Sequence, residues 1–90
     1  MKSIQSLIGS WNRATFPKAD TAAFIDKLYE EAHELEQSCN TATMSEEMAD
    51  VAIVLMSWAD REGVDIESEI LKKMRVNQCR SMSGRWTPKG

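Results

Sequence analysis

The chain has 90 residues, with 14 acidic and 11 basic side chains and a formal net charge of −3. That length allows one domain with a marginal core of its own. The acidic balance argues against a duplex nucleic-acid binder, which needs a basic face, and no apolar stretch approaches the roughly 20 residues of a membrane span.

Four helical stretches can be read in chain order, with no strand, repeat or low-complexity segment, so an all-α fold is expected. The first runs from about Ser3 to Arg13, carries Ile4, Leu7, Ile8 and Trp11, and stops before Pro17. Asp20 or Thr21 can cap the second, whose Phe24, Ile25, Leu28, Ala32 and Leu35 recur at helical spacing until about Cys39–Asn40. Thr43 followed by Glu46 is a capping-box pattern for the third. That helix continues through Val51, Ile53, Val54, Leu55, Met56, Trp58 and Ala59 to Gly63, a suitable residue just past a helix end. Asp65 can cap the fourth, with Ile66, Ile70, Leu71 and Met74. Residues 81–90, with Gly84 and Pro88, read as an irregular basic tail of the single domain 1–90.

Between Val51 and Met56 the third helix is apolar nearly all round, the pattern of a helix buried on most sides. Three short neighbours cannot cover it, so a subunit interface is expected, as a homodimer or a tetramer built from dimers. Trp58 reads as core or interface. Cys39 and Cys79 form no close pair, and nothing resembles a signal peptide, so reduced, partly buried thiols in a cytoplasmic protein are expected.

The acids are the informative residues. Glu31 and Glu34 on the second helix are three apart and share a face, with Phe24, Leu28 and Leu35 on or beside it. Glu47 and Asp50 on the third repeat the spacing, alongside Val51, Val54 and Trp58. Both pairs therefore lie toward the core side. Carboxylates in such places repel one another and resist burial unless cations sit between them. An acid-rich helix face is more often simply solvated, but a second pair inside an apolar helix fits that reading poorly. Two antiparallel helices on a short loop would bring the pairs face to face. Four carboxylates without a thiolate make a hard oxygen site, favouring Mg²⁺, with Mn²⁺ as substitute, over Zn²⁺. Mg²⁺ so held keeps positions for phosphate oxygens, which points to a nucleotide polyphosphate. Trp11 can stack on a base or, beside Leu7 and Ile8, belong to the core. Glu30 can orient a water or be a surface glutamate beside Lys27. His33 lies three residues after Glu30, the E-x-x-H spacing of di-iron bundles, but falls roughly opposite Glu31 and reads as exposed.

The run Lys27-Leu28-Tyr29-Glu30-Glu31-Ala32-His33-Glu34-Leu35, followed by Glu46-Glu47-Met48-Ala49-Asp50-Val51, resembles the MazG nucleotide pyrophosphohydrolases, whose hallmark is an E-x-x-E pair and then E-x-x-D. Lys73-x-x-x-Asn77-x-x-Arg80 is similar to that family's phosphate- and sugar-contacting segment. Trp11-Asn12-Arg13-Ala14-Thr15-Phe16-Pro17 is similar to the start of a phage-associated branch that includes dATP/dGTP pyrophosphohydrolases. The resemblance implies a four-helix bundle completed by oligomerisation, with Mg²⁺ on Glu31, Glu34, Glu47 and Asp50. It implies catalytic parts for Glu30, Glu31 and Glu34, and substrate contacts from Trp11, Lys27, Lys73, Asn77 and Arg80. The implied reaction is cleavage of a nucleoside triphosphate, purine deoxynucleotides included, to monophosphate and pyrophosphate by attack at the α-phosphorus. A phage source, and so a host cytoplasm, fits the same resemblance. Trp86 could pack over the site or dock the C-terminus. Two other classes stay open: a regulatory helical interaction module, which should have lost at least one of the four acids, and a nucleotide sensor, which keeps them.

Overall fold

The computed structural model describes residues 2–82, with side chains for residues 4–80, and among these the chain is all-helical. The helices are α1 (Lys2–Thr15), α2 (Thr21–Glu36), α3 (Thr41–Arg61) and α4 (Ile66–Met82). Asp20 starts α2: its backbone is extended and its carboxylate accepts from the Ala23 amide at 2.9 Å. Asn40 does the same for α3, accepting from the Thr43 amide at 2.9 Å. The capping-box expectation is thus corrected. Thr43 lies inside the helix because Asn40, in extended backbone just before Thr41, already takes the orphan amide.

Gly63 ends α3 as expected, and for a definite reason. Its φ is +71°, a conformation that a side chain opposes. Its amide bonds the Asp60 carbonyl at 3.1 Å, while the Val64 amide bonds the Ala59 carbonyl at 2.8 Å. That pair of bonds closes the helix in a Schellman motif. Asp65 accepts from the Ser68 amide at the start of α4. The helix runs to Met82, two residues into the segment expected to be irregular; Trp86 and the rest of the basic tail lie outside the described residues.

α3 is the axis of the fold, with α2 along one side and α1 along another; α4 packs against α1. The first helix corrects its expectation. Its most buried residues are not its apolar ones: Ile4, Leu7 and Trp11 are exposed and Ile8 is half-buried, while Gln5, Gly9 and Asn12 are buried. Each of these three does something an aliphatic side chain could not. Gln5 donates to the Val64 carbonyl at 2.6 Å and accepts from the Ile66 amide at 3.0 Å, tying α1 to the entry of α4. Gly9 lets α1 approach α3 so closely that a Cβ there would land on the Asp60 carboxylate. Asn12 accepts from Arg61 at 2.7 Å.

Arg61 fastens the α1–α2 connection. Its guanidinium donates to the carbonyls of Ala19 at 2.9 Å and Phe16 at 3.2 Å, and lies 5.3 Å from the Phe24 ring centre. The apolar core itself is small. Phe24, Val54 and Ala59 are its buried members among the described residues, with Trp58 stacked on Phe24 at 6.4 Å. Val51, Ala52, Ile53 and Met56 are half-covered and Leu55 is exposed, so α1 and α2 leave one side of α3 open. On α4, Ile70, Leu71, Met74 and Val76 are all exposed. The radius of gyration, 15.0 Å, exceeds the roughly 12 Å of a compact domain of this length.

Candidate functional site

The α2–α3 loop is short, and the two helices return alongside each other. That return turns the spacing of the acids into a cluster. One carboxylate oxygen from each of Glu31, Glu47 and Asp50 lies within 4.8 Å of the others, and Glu30, Glu31 and Glu34 form a second such group. Glu31 belongs to both. The four acids are not equivalent: Glu31 is 6 % exposed, Glu47 is half-buried, and Glu34 and Asp50 are open to solvent. Hence one acid of each pair is turned inward and its partner remains accessible to water.

The two inward acids are incompletely satisfied. Glu31 Oε2 and Glu47 Oε2 are shielded from solvent and have no hydrogen-bond partner. Lys27 offers one cation, its Nζ lying 3.2 Å from Glu31 Oε1 and 3.2 Å from Glu30 Oε1. Burial raises the Glu31 pKa; Lys27 opposes the shift and the neighbouring Glu34 adds to it. The same contacts, to Glu31 first and then Glu30, raise the Lys27 pKa. Three clustered carboxylates against one lysine leave excess negative charge, and the orphaned oxygens are lone pairs without a donor. All the donors are hard oxygens, so the set fits a divalent cation of the Mg²⁺ or Mn²⁺ type, with the exposed side of Asp50 available to water or a ligand.

Beside the cluster opens a cleft of about 360 Å³ between α1, α2 and α3. Lys27, Glu31 and Asp50 line one part of it; the remainder is largely apolar, including Phe24, Ile53 and Val54. Trp11 and Phe16 also line it, their rings edge to face at 5.9 Å, and Trp11 is half-exposed. Asn12 and Ser57 complete the lining.

The structure therefore brings Trp11 and Lys27 to one cleft with Glu31 and Asp50, with Glu30 and Glu34 beside Glu31. It does not bring Lys73, Asn77 or Arg80 there. They lie on α4, which packs against α1, and none of them lines the cleft. Asn77 is half-buried with its Oδ1 unpartnered. His33 is exposed, near Glu36 at 3.7 Å, and outside both acidic groups. Cys39 and Cys79 are free thiols, both exposed rather than partly buried. No described helix is long and apolar enough to cross a membrane.

Reading the sequence missed Asn12, Ser57 and Arg61. A signal existed for two of them. Ser57 is a polar residue set into the apolar run of α3, and Gln5, Gly9 and Asn12 make a stripe at helical spacing beside the more conspicuous apolar one.

What the fold and cleft define is a small helical domain with a carboxylate cluster beside an apolar recess. The chain is 38 % identical over 79 residues to a protein named dATP/dGTP diphosphohydrolase from Salmonella phage PMBT28. The match takes in 86 % of this chain and 26 % of that protein, so the chain spans about a quarter of the relative's length. No family model matches the chain, and no solved structure does.

Proposed function

We propose that this protein is a Mg²⁺-dependent nucleoside triphosphate pyrophosphohydrolase of the MazG kind, acting on purine deoxynucleoside triphosphates. The observation that carries the reading is the convergence of Glu31, Glu47 and Asp50, two of them with buried unpartnered oxygens, at the edge of a cleft that can seat a base. The relative's name supports the reaction and the purine preference.

Glu31, Glu34, Glu47 and Asp50 are the residues that would hold the metal. When bound, it would supply neutralisation of the triphosphate charge and a water of lowered pKa. The chain's own residues do the rest. Lys27, already beside the carboxylates, meets phosphate oxygens. Glu30, exposed and paired with Lys27 at 3.2 Å, orients the attacking water or takes its proton. Trp11 stacks on the base at the open side of the cleft. The products are a nucleoside monophosphate and pyrophosphate.

The reading also includes a homodimer, or a tetramer of dimers. The exposed apolar residues of α1 and α4, the open side of α3 and the small core all support it. In such an assembly Lys73, Asn77 and Arg80 contact substrate in a neighbour's site, since α4 does not carry them into their own. Sedimentation should give a dimer or larger species; a stable monomer would remove this part.

The deciding assay is pyrophosphate release from a panel of ribo- and deoxyribonucleoside triphosphates, with Mg²⁺ and with EDTA. Mg²⁺-dependent release from dATP and dGTP is expected, lost in Glu47→Gln. A folded Glu47→Gln variant with full turnover would sink the metal assignment. A folded wild type that turns over no nucleotide would leave a sensor or regulatory module instead.

A further inference from the structure

The cleft contains two buried polar side chains that the proposed reaction leaves unused. Ser57 is 1 % exposed, and its Oγ has no hydrogen-bond partner. A serine in a helix ordinarily satisfies itself by bonding back to the carbonyl one turn earlier; this one does not. Its neighbours along the cleft, Ile53 and Val54, offer no side-chain partner. Asn12 is 7 % exposed and lines the same cleft. Its Oδ1 accepts from Arg61, whose guanidinium is itself anchored on the carbonyls of Ala19 and Phe16. That anchoring decides which way the amide faces: the oxygen is committed, and the amino group is what Asn12 has left to offer.

Position along α3 says what part of a nucleotide these groups meet. Asp50, Ile53, Val54 and Ser57 share one face, and two turns separate Asp50 from Ser57, roughly 10 Å along the axis. That is about the span from the α-phosphate of a nucleotide to the outer edge of its base. With phosphates at the carboxylates and the sugar against Ile53 and Val54, the base edge falls at Ser57.

We propose, building on the hydrolase reading above, that Ser57 and Asn12 read the base and that their chemistry accepts both purines. Asn12, a fixed donor, matches N7, an acceptor common to adenine and guanine. Ser57 meets the adjacent 6-position. A hydroxyl can accept from the 6-amino group of adenine or donate to the 6-oxo group of guanine by turning its proton. A pyrimidine presents a C–H, or in thymine a methyl group, where N7 would be and leaves the Asn12 donor unpaired in an apolar recess, which a site of this kind penalises.

The test is equilibrium binding by titration calorimetry, with Ca²⁺ replacing Mg²⁺ so that affinity is read without turnover. The ligands are dATP, dGTP, the 2′-deoxynucleoside triphosphate of unsubstituted purine, and 7-deaza-dATP. Ser57→Ala removes an unpartnered hydroxyl and should fold at least as well as wild type. It should weaken dATP and dGTP about tenfold each, the loss of one neutral hydrogen bond, and leave the unsubstituted purine unchanged. Wild type should bind 7-deaza-dATP more weakly than dATP, and Asn12→Asp, which keeps an oxygen for Arg61 but loses the donor, should erase that difference. Equal loss on the unsubstituted purine, or no loss on any ligand, would overturn the assignment of Ser57. An undiminished 7-deaza difference in Asn12→Asp would overturn that of Asn12. The hydrolase reading fails separately: a protein that binds with this pattern in Ca²⁺ but releases no pyrophosphate in Mg²⁺ keeps the base site and loses the reaction.

Discussion

Replacing Glu31 by glutamine should stabilise the metal-free protein while abolishing its response to metal. The side chain is 6 % exposed, and Oε2 is buried without a partner. Burial, opposed by Lys27 and assisted by Glu34, raises its pKa above the ordinary value of 4.5. The sign follows from linkage. The folded state holds this proton more tightly than the unfolded chain, so the stability connected with Glu31 is fully present below about pH 4.5 and is lost as pH rises through the raised value. Glutamine keeps the shape and never ionises. The neutral amide escapes most of the cost of burying a charge beside Glu34, about 1–3 kcal/mol, and the half-exposed Lys27 pair that is lost offsets up to about 1, leaving a net gain on the order of 1 kcal/mol at neutral pH. For a domain of this size that is several degrees in Tm, on the order of 4–8 °C per kcal/mol. The assay is thermal unfolding followed by circular dichroism in EDTA, at pH 7.5 and pH 4 and at one protein concentration, then repeated with Mg²⁺. The variant should melt higher than wild type at pH 7.5, no higher at pH 4, and gain little from Mg²⁺, which should raise the wild type. A variant that melts lower at pH 7.5 in EDTA would refute the reasoning, since Glu31 would then be satisfied by the protein alone.

Two further substitutions test the scaffold that positions the cleft. Arg61→Ala removes the bonds to Ala19, Phe16 and Asn12 and the contact with Phe24. A destabilisation of about 2–3 kcal/mol is expected in urea unfolding, and proteolysis should speed up between Phe16 and Asp20; an unchanged midpoint would mean that the connection is held by other contacts. Gly9→Ala places a methyl group on the Asp60 carboxylate and disturbs its ion pair with Arg13. An overpacking cost of about 1–3 kcal/mol is expected to outweigh the roughly 1 kcal/mol that alanine gains over glycine in a helix; a stabilised variant would mean that the Asp60 carboxylate swings aside at little cost.

Much of the local structure was legible because its causes are local. Asp20, Asp65 and Gly63 mark helix boundaries through bonds to residues a few positions away. Asn40 was overlooked in favour of Thr43 because both types suit a cap, and the choice rests on which one stands in extended backbone. The buried face of α1 is hard to read from sequence for a different reason. Hydrophobic periodicity finds the face that avoids water, whereas α1 is docked by a hydrogen-bonding glutamine, a close-contact glycine and an asparagine. Of its apolar residues, Ile4 and Leu7 are left outward, while Trp11 lines the cleft.

The spacing of Glu31 with Glu34 and of Glu47 with Asp50 was determined by the sequence alone, because helical rotation places side chains three residues apart on one face whatever surrounds them. So were the absence of a long apolar span and the all-helical class. Which acid of each pair turns inward, that Glu31 is common to both acidic groups, and that Asn12 and Ser57 share a cleft with them were decided only by tertiary structure. Those facts depend on the register of α1 and α2 against α3, which is set by Gly9 at Asp60, by Arg61 reaching back to the α1–α2 connection and by the packing of Phe24 against Trp58. Contacts between residues so far apart along the chain leave no periodic trace in it.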